Sequence, residues 1–216
     1  MTNRQTKESV AASFRSAPVV GVVRTDSYER AEALARELIA GGLELVEITF
    51  TVPEGPRLVA ALRAERGAQG PPWIGMGTVT TAERAERAIA AEAEFIVSPN
   101  TSRAVADLAR ESDRYLLLGA LSCTEIVAAR DAGADLVKVY PLPAVGGPSY
   151  LSVVRGPLGD IPMLAAGGFG IEEIPAYRAA GAVAYGIGGP LVGDTAAETA
   201  TRIRRALALA RGEAGA

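Results

Sequence analysis

The 216-residue sequence contains no histidine and one cysteine, Cys123, and these absences exclude much of enzyme chemistry. Without histidine there is no Ser-His-Asp triad, no Cys-His dyad and no imidazole acid or base. A single cysteine excludes an internal disulfide and a metal site built on a cysteine pair. Since Cys123 opens a predicted helix without a basic neighbour in sequence, we expect a packed thiol. Proton transfer would depend on carboxylates, lysine, tyrosine, hydroxyl groups or water.

Long apolar runs and a strong net charge are also lacking. No run approaches the ~18 apolar residues of a membrane span, and the first residues form no apolar signal core. A net charge of −3 argues against nucleic acid or an anionic membrane surface as the main partner. With 49% hydrophobic residues, the chain is expected to form one compact cytoplasmic domain with a sizeable core.

Lysine is rare in this arginine-rich sequence. Of 22 basic residues only two, Lys7 and Lys138, are lysine. Lys7 lies in a polar N-terminal arm, where a solvated charge is expected. Lys138 lies in the apolar, strand-like segment 136–140. Burial there would disfavour the charged ammonium and leave a neutral, nucleophilic amine, which arginine cannot supply because it does not deprotonate.

Short apolar segments alternate with amphipathic segments along the whole chain. The pattern predicts strands at 19–24, 43–49, 73–78, 95–98, 115–119, 136–140, 163–166 and 182–186. The clearest helical patterns lie between them, at 27–40, 81–91, 102–110, 123–132, 171–180 and 196–211. Ser27 and Thr81 are predicted helix N-caps. Eight such units predict a single-domain (β/α)8 TIM barrel over residues 18–212, with an N-terminal helical arm, residues 1–17, capping its bottom.

A doubly wound open sheet also alternates strands and helices, so it is the competing fold. Two observations favour the barrel. No Gly-x-Gly-x-x-Gly motif opens the first helix, as a dinucleotide-binding sheet would require. The polar residues also fall late in their strands, at Arg24, Glu47, Thr78, Ser98 and Lys138. A barrel interior tolerates polar side chains there, near the strand ends.

Strand alternation predicts that Glu47 and Lys138 both face the barrel interior. Their interior-facing neighbours would be Leu45, Thr49, Leu136 and Tyr140. An interior carboxylate and an interior amine can meet near the barrel axis. One interpretation is a structural ion pair, although buried pairs are weak stabilisers. The other is a Schiff-base lysine with a carboxylate that moves protons.

Several segments resemble the 2-keto-3-deoxy-6-phosphogluconate/4-hydroxy-2-oxoglutarate aldolases, in order from Val19 to Gly189. They are 46–53 (Val-Glu-Ile-Thr-Phe-Thr-Val-Pro), 75–79 (Gly-Met-Gly-Thr-Val), 95–99 (Phe-Ile-Val-Ser-Pro) and 136–141 (Leu-Val-Lys-Val-Tyr-Pro). The resemblance implies a class I aldolase, a homotrimer of (β/α)8 barrels that needs no cofactor or metal. It implies a 2-keto-4-hydroxy acid as substrate, cleaved to pyruvate and an aldehyde, either glyceraldehyde 3-phosphate or glyoxylate.

The resemblance also implies residue roles. Lys138 matches the Schiff-base lysine and Glu47 the general acid/base. Arg24, Thr78 and Pro99 match positions at the substrate carboxylate. The structural alternatives are a rim salt bridge for Arg24 and a hydroxyl bonded to the backbone for Thr78. Some family members carry an arginine where this sequence has Thr51, which gives Arg24 more weight.

Two glycine pairs are candidate anion-binding turns. Gly167-Gly168 follows the seventh predicted strand and Gly188-Gly189 the eighth. Barrels often bind phosphate there through backbone N–H groups, although Gly-Gly is also typical of ordinary turns. The family commonly has hydroxyl residues beside these pairs. Here those positions are Ala166 and Pro190, so we expect weak phosphate binding and good activity on unphosphorylated acids.

Two other functions remain open at this point. One is a phosphosugar isomerase or epimerase that uses Glu47 as a base without a covalent lysine. The other is a non-catalytic ligand-binding barrel. Borohydride reduction in the presence of pyruvate separates them from an aldolase, because only a Schiff base is trapped on Lys138.

Overall fold

A computed structural model describes residues 2–67 and 70–213, and its centre is a closed barrel of eight parallel strands in the order β1 to β8. The barrel prediction is confirmed, and the open doubly wound sheet is wrong. All eight predicted strands are present, with bounds close to those expected. They are β1 (Val19–Val23), β2 (Leu45–Thr49), β3 (Trp73–Gly77), β4 (Phe95–Val97), β5 (Tyr115–Ala120), β6 (Leu136–Val139), β7 (Met163–Ala166) and β8 (Ala184–Ile187).

Helices surround the barrel and connect its strands. They are α1 (Asn3–Ser16), α2 (Tyr28–Ala40), α3 (Gly55–Arg66), α4 (Ala82–Ala90), α5 (Arg103–Glu111), α6 (Cys123–Asp131), α7 (Pro148–Arg155), α8 (Ile174–Ala179) and α9 (Ala196–Arg211). The predicted N-caps are confirmed, since the side chains of Ser27 and Thr81 accept hydrogen bonds from the backbone of α2 and α4. None of the helices in the described ranges is both long and apolar enough to cross a membrane.

The helical patterns in the sequence do not predict α3 or α7. Each begins at a Gly-Pro pair, Gly55-Pro56 and Gly147-Pro148, and neither has a capping side chain. Gly-Pro is typical of turns, so the sequence signal at both starts points away from a helix. Proline is nevertheless compatible with the first helical turn, because that N–H has no partner inside the helix.

Strand residues alternate between two apolar layers. Val46 and Ile48 face outward, as expected, and join the layer between barrel and helices. Leu45 faces inward. The interior cluster comprises Val10, Phe14, Val20, Leu45, Trp73, Phe95, Val97, Tyr115, Leu117, Leu136, Leu164, Ala166 and Ala184. The barrel is therefore a packed core rather than a pore.

Helix α1 covers the N-terminal ends of the strands, which we call the barrel bottom. Its Phe14 ring stacks on Tyr115, with 4.8 Å between centroids, and meets Phe95 edge-on at 5.8 Å. Val10 and Phe14 belong to the interior cluster. Burial raises the pKa of the Tyr115 phenol, because its charged form would lie away from water. Apolar packing thus closes this end of the barrel.

Polar contacts attach α1 to the same surface. The Trp73 indole N–H donates to Ser13 Oγ at 2.9 Å, and Ser13 Oγ donates to Glu44 Oε2 at 2.5 Å. Lys7 Nζ lies 2.9 Å from Asp135 Oδ2. Lys7 was expected to be solvated, and the structure instead places it in a half-buried ion pair.

The prediction of a packed thiol at Cys123 is wrong. The side chain is exposed. Helix α6 packs inward through Ile126 and Ala129, whereas residues 122–125 at its start are all exposed. Cys123 therefore lies outside the core, in a first helical turn whose other residues are polar and exposed.

We predict that Phe14→Ala lowers the free energy of unfolding by about 3–5 kcal/mol, because it opens a cavity in the interior cluster. Chemical denaturation measures the change. Val153→Ala is the control, since Val153 is 76% exposed and its truncation should change stability by about 0.5 kcal/mol or less. Equal effects of the two substitutions would show that α1 does not close the interior.

Candidate active site

The predicted site residues gather at the C-terminal ends of the strands. Arg24, Thr78 and Pro99 follow β1, β3 and β4 within two residues. Lys138 lies near the end of β6, and Glu47 is the middle residue of β2. The two glycine pairs follow β7 and β8. In a parallel barrel these ends form one face, where active sites are built.

Glu47 and Lys138 meet across the barrel. Strands β2 and β6 lie on opposite sides of the closed sheet, and Lys138 Nζ is 3.6 Å from Glu47 Oε2. The side chains are only 11% and 3% exposed. Glu47 Oε1 is buried and has no hydrogen-bond partner among the described residues. An unpaired buried oxygen costs free energy, so it favours a group that acts on a ligand over a purely structural ion pair.

Two strand glycines that sequence reasoning missed make room for this arrangement. A Cβ at Gly77 would overlap the Glu47 carboxylate, and one at Gly119 would overlap the backbone of Pro99. The signal was present in Gly75-Met76-Gly77, because a glycine inside a strand often marks the close approach of another group. Periodicity alone treats such glycines as neutral strand residues.

Hydroxyl groups hold the Arg24 guanidinium. It donates to Thr51 Oγ1 at 3.3 Å and to Thr78 Oγ1 at 3.4 Å. Thr51 Oγ1 lies 2.8 Å from Thr49 Oγ1, whose hydroxyl donates to the Val23 carbonyl. Within residues 2–67 and 70–213 no carboxylate forms a salt bridge with Arg24, so the rim salt bridge is not observed. Its charge is available to an anionic ligand.

Thr78 has a strained backbone. Its φ of 60° is in the left-handed region, where a β-branched residue is an outlier. The Arg84 guanidinium donates to its carbonyl at 3.0 Å. Strain of this kind, costing ~1–3 kcal/mol, occurs most often at functional sites.

Two cavities meet at Lys138. The smaller, of about 190 Å³, is lined by Arg24, Thr78, Pro99, Lys138 and Tyr140. The larger, of about 440 Å³, shares Arg24, Lys138 and Tyr140 with it. Its remaining lining residues are Val22, Leu34, Ala166, Gly167, Gly168, Gly186, Gly188 and Gly189. A ligand joined to Lys138 Nζ could therefore extend in both directions.

The glycine turns of the larger cavity offer few donors on the β8 side. Pro190 has no N–H, and the N–H groups of Leu191 and Val192 donate to the carbonyls of Gly188 and Gly189. A Cβ at Gly189 would meet nothing within 4 Å, so this wall has open space. Nowhere in the described part of the chain do three or more cysteine or carboxylate side chains come together as a metal site would require.

Comparison with known proteins places the whole barrel in one family. The model of the KDPG and KHG aldolases matches residues 10–206. A 2-dehydro-3-deoxy-phosphogluconate aldolase of Treponema pallidum is 33% identical over 161 residues, which are 74% of this chain and 75% of the relative. A probable 2-dehydro-3-deoxy-6-phosphogalactonate aldolase of Rhizobium meliloti is 33% identical over 175 residues, 81% of each chain.

A solved structure agrees with these matches. The KDPG aldolase of Legionella pneumophila, with pyruvate captured at low pH as a covalent carbinolamine intermediate, superposes with a TM-score of 0.75. The two sequences are 25% identical, and the match covers 92% of this chain and 96% of that one.

We predict that Gly77→Ala displaces the Glu47 carboxylate and lengthens its 3.6 Å contact with Lys138, because the new methyl group takes its place. A crystal structure of the variant measures the displacement. Gly156→Ala is the control, since Gly156 is helical at the end of α7 and lies outside both cavities. An unmoved carboxylate in Gly77→Ala would contradict the assigned role of Gly77.

Proposed function

The chain belongs to the KDPG and KHG aldolase family, whose members are carbon–carbon lyases, and we propose from this premise that it is a class I aldolase acting through a Schiff base on Lys138. Its substrate would be a 2-keto-4-hydroxy acid, cleaved to pyruvate and an aldehyde. The observation that carries the proposal is the buried 3.6 Å contact between Lys138 Nζ and Glu47 Oε2, at the junction of two cavities.

The first half of the reaction forms the imine. Neutral Lys138 Nζ attacks the C2 carbonyl, and the nitrogen releases a proton as the oxygen takes one up, so that a neutral carbinolamine forms. Glu47 then donates a proton to the departing hydroxyl, so that water leaves and the iminium forms. Such proton transfer is typically worth ~10²–10⁴ in rate. The Glu47 carboxylate lies 3.6 Å from Lys138 Nζ, and this distance supports the role.

The second half breaks the carbon–carbon bond. Glu47 accepts the proton of the C4 hydroxyl, the C4 carbonyl of the aldehyde forms, and the electrons of the C3–C4 bond move into the iminium to give an enamine. Protonation at C3 and hydrolysis of the imine then release pyruvate and regenerate Lys138. One amine and one carboxylate therefore carry every covalent and proton-transfer step that this mechanism assigns to side chains. A chain without histidine can supply both groups.

The smaller cavity suits the pyruvate carboxylate. Its volume of about 190 Å³ fits one small charged group, and the Arg24 guanidinium beside Thr78 supplies a positive charge and donors. Pro99 contributes an apolar wall. The C1 carboxylate would lie here, with C2 on Lys138 and the aldehyde half in the larger cavity.

The larger cavity favours an unphosphorylated aldehyde half. Phosphate carries up to two negative charges and needs several convergent donors. Ala166 presents a methyl group, and Pro190 offers neither a hydroxyl nor an N–H. We propose that 4-hydroxy-2-oxoglutarate is cleaved at least as well as its phosphorylated six-carbon counterpart. From the family resemblance we also propose a cytoplasmic homotrimer, whose mass sedimentation would measure.

We predict that borohydride with pyruvate adds one reduced pyruvate to Lys138, detected by peptide mass spectrometry. Lys138→Arg keeps the charge but cannot form an imine, so it should neither trap pyruvate nor turn over substrate. Glu47→Gln should trap more slowly and lose most turnover, because dehydration and cleavage both need its proton. Normal turnover by Lys138→Arg, or no adduct on an active wild type, would overturn the covalent mechanism. A wild type that neither traps pyruvate nor cleaves the substrate would leave the isomerase or epimerase that uses Glu47 as base, or the non-catalytic barrel.

We predict that Gly189→Ser improves kcat/KM for 2-keto-3-deoxy-6-phosphogluconate relative to 4-hydroxy-2-oxoglutarate by about 10- to 100-fold, the value of one hydrogen bond to a charged group. Open space at Gly189 accommodates the side chain. Pro190→Ser should act in the same direction, and Gly156→Ser, outside the cavity, should not. A strong wild-type preference for phosphate that neither serine changes would show that other groups bind it.

A further inference from the structure

Tyr140 occupies a position that the mechanism above does not use. It follows β6, two residues after Lys138, and lines both cavities. Lys138 Nζ lies 6.0 Å from the centroid of its ring, and the side chain is 43% exposed. The hydroxyl groups of Tyr150 and Tyr185 donate to the carbonyls of Leu121 and Ala182. That of Tyr140 has no hydrogen-bond partner among the described residues.

The position of Tyr140 relative to Lys138 determines which part of a substrate it would face. With C2 bonded to Lys138 Nζ and the C1 carboxylate beside Arg24, the chain passes from the smaller to the larger cavity. Tyr140 lines both cavities, so it lies at the point where the substrate would cross from one cavity to the other. The groups carried on C4 therefore lie nearest to its ring.

Tyr140 is also the side-chain donor left over for this part of the substrate. Among the described residues that line the larger cavity, Arg24, Lys138 and Tyr140 are the ones with polar side chains. Arg24 is held by Thr51 and Thr78 on the other side, and Lys138 would be consumed by the imine. A site whose other walls are aliphatic or glycine would recognise a polar C4 substituent through the Tyr140 phenol.

We propose that the Tyr140 hydroxyl donates a hydrogen bond to a carboxylate carried on C4 of the substrate, and so selects aldehydes that bear a carboxylate over neutral ones. The inference rests on the proposed aldolase function. A phenol is a neutral donor that matches one carboxylate oxygen, and a hydrogen bond to a charged acceptor is stronger than a neutral one. Tyr140 is thus a specificity-determining residue.

The test compares two substrates that differ only at C4. Tyr140→Phe should lower kcat/KM for 4-hydroxy-2-oxoglutarate about 10- to 100-fold, mainly through KM, and change that for 4-hydroxy-2-oxopentanoate, with a methyl group instead of the carboxylate, less than about threefold. When glyoxylate and acetaldehyde compete for pyruvate in the reverse reaction, the product ratio should shift toward the neutral aldehyde by a similar factor. Tyr150→Phe is the control, since its hydroxyl is bonded elsewhere.

Equal losses on both substrates would overturn the inference, because Tyr140 would then act on Lys138 or on the fold. No loss on either substrate would overturn it too, since the hydroxyl would be unused. Imine trapping of pyruvate alone by Tyr140→Phe should match the wild type. Failure of the wild type to trap pyruvate would instead refute the proposed function, so the two failures are distinguishable.

Discussion

The contact between Lys138 and Glu47 is the constraint on which the rest of the site depends. Removing two ionisable groups from water costs more free energy than their mutual attraction supplies, unless hydrogen bonds satisfy the remaining polar atoms. Glu47 Oε1 has no such hydrogen bond among the described residues. The positions of the two side chains follow from the geometry of the barrel. Opposite strands direct both inward, and Gly77 leaves the space that the carboxylate fills. This cost is what a purely structural ion pair would not explain.

Closure of the barrel bottom complements that pair. Phe14 and its aromatic neighbours seal the strand starts, so that water approaches the interior from the cavity side. Electrostatic interactions are stronger where water is excluded. Helix α1, at the opposite end of the barrel, therefore contributes to the environment of the buried contact between Lys138 and Glu47.

Sequence patterns predict the barrel and the faces of its strands, because each strand alternates with a period of two and each helix buries one side. The same alternation predicts that Glu47 and Lys138 face the interior. Sequence patterns do not predict which interior groups touch, since contact across the barrel depends on strand stagger and on vacancies such as the one at Gly77. Alternation predicts that Tyr140 faces inward. That it lines two adjoining cavities is seen only in the structure.

Buried polar atoms without a hydrogen-bond partner and residues with a left-handed backbone occur at both ends of the barrel. At the C-terminal end Glu47 keeps an unpaired oxygen and Thr78 adopts a left-handed backbone. At the N-terminal end Arg66 Nε and Arg114 Nε are buried without a hydrogen-bond partner among the described residues. Trp73 donates to Ser13 at the same end, beside a stack of aromatic rings. Unsatisfied and strained groups destabilise a fold by ~1–3 kcal/mol each, so they persist only where packing elsewhere offsets them. In parallel barrels generally, the N-terminal face serves stability while the loops and strand ends of the C-terminal face carry binding and chemistry.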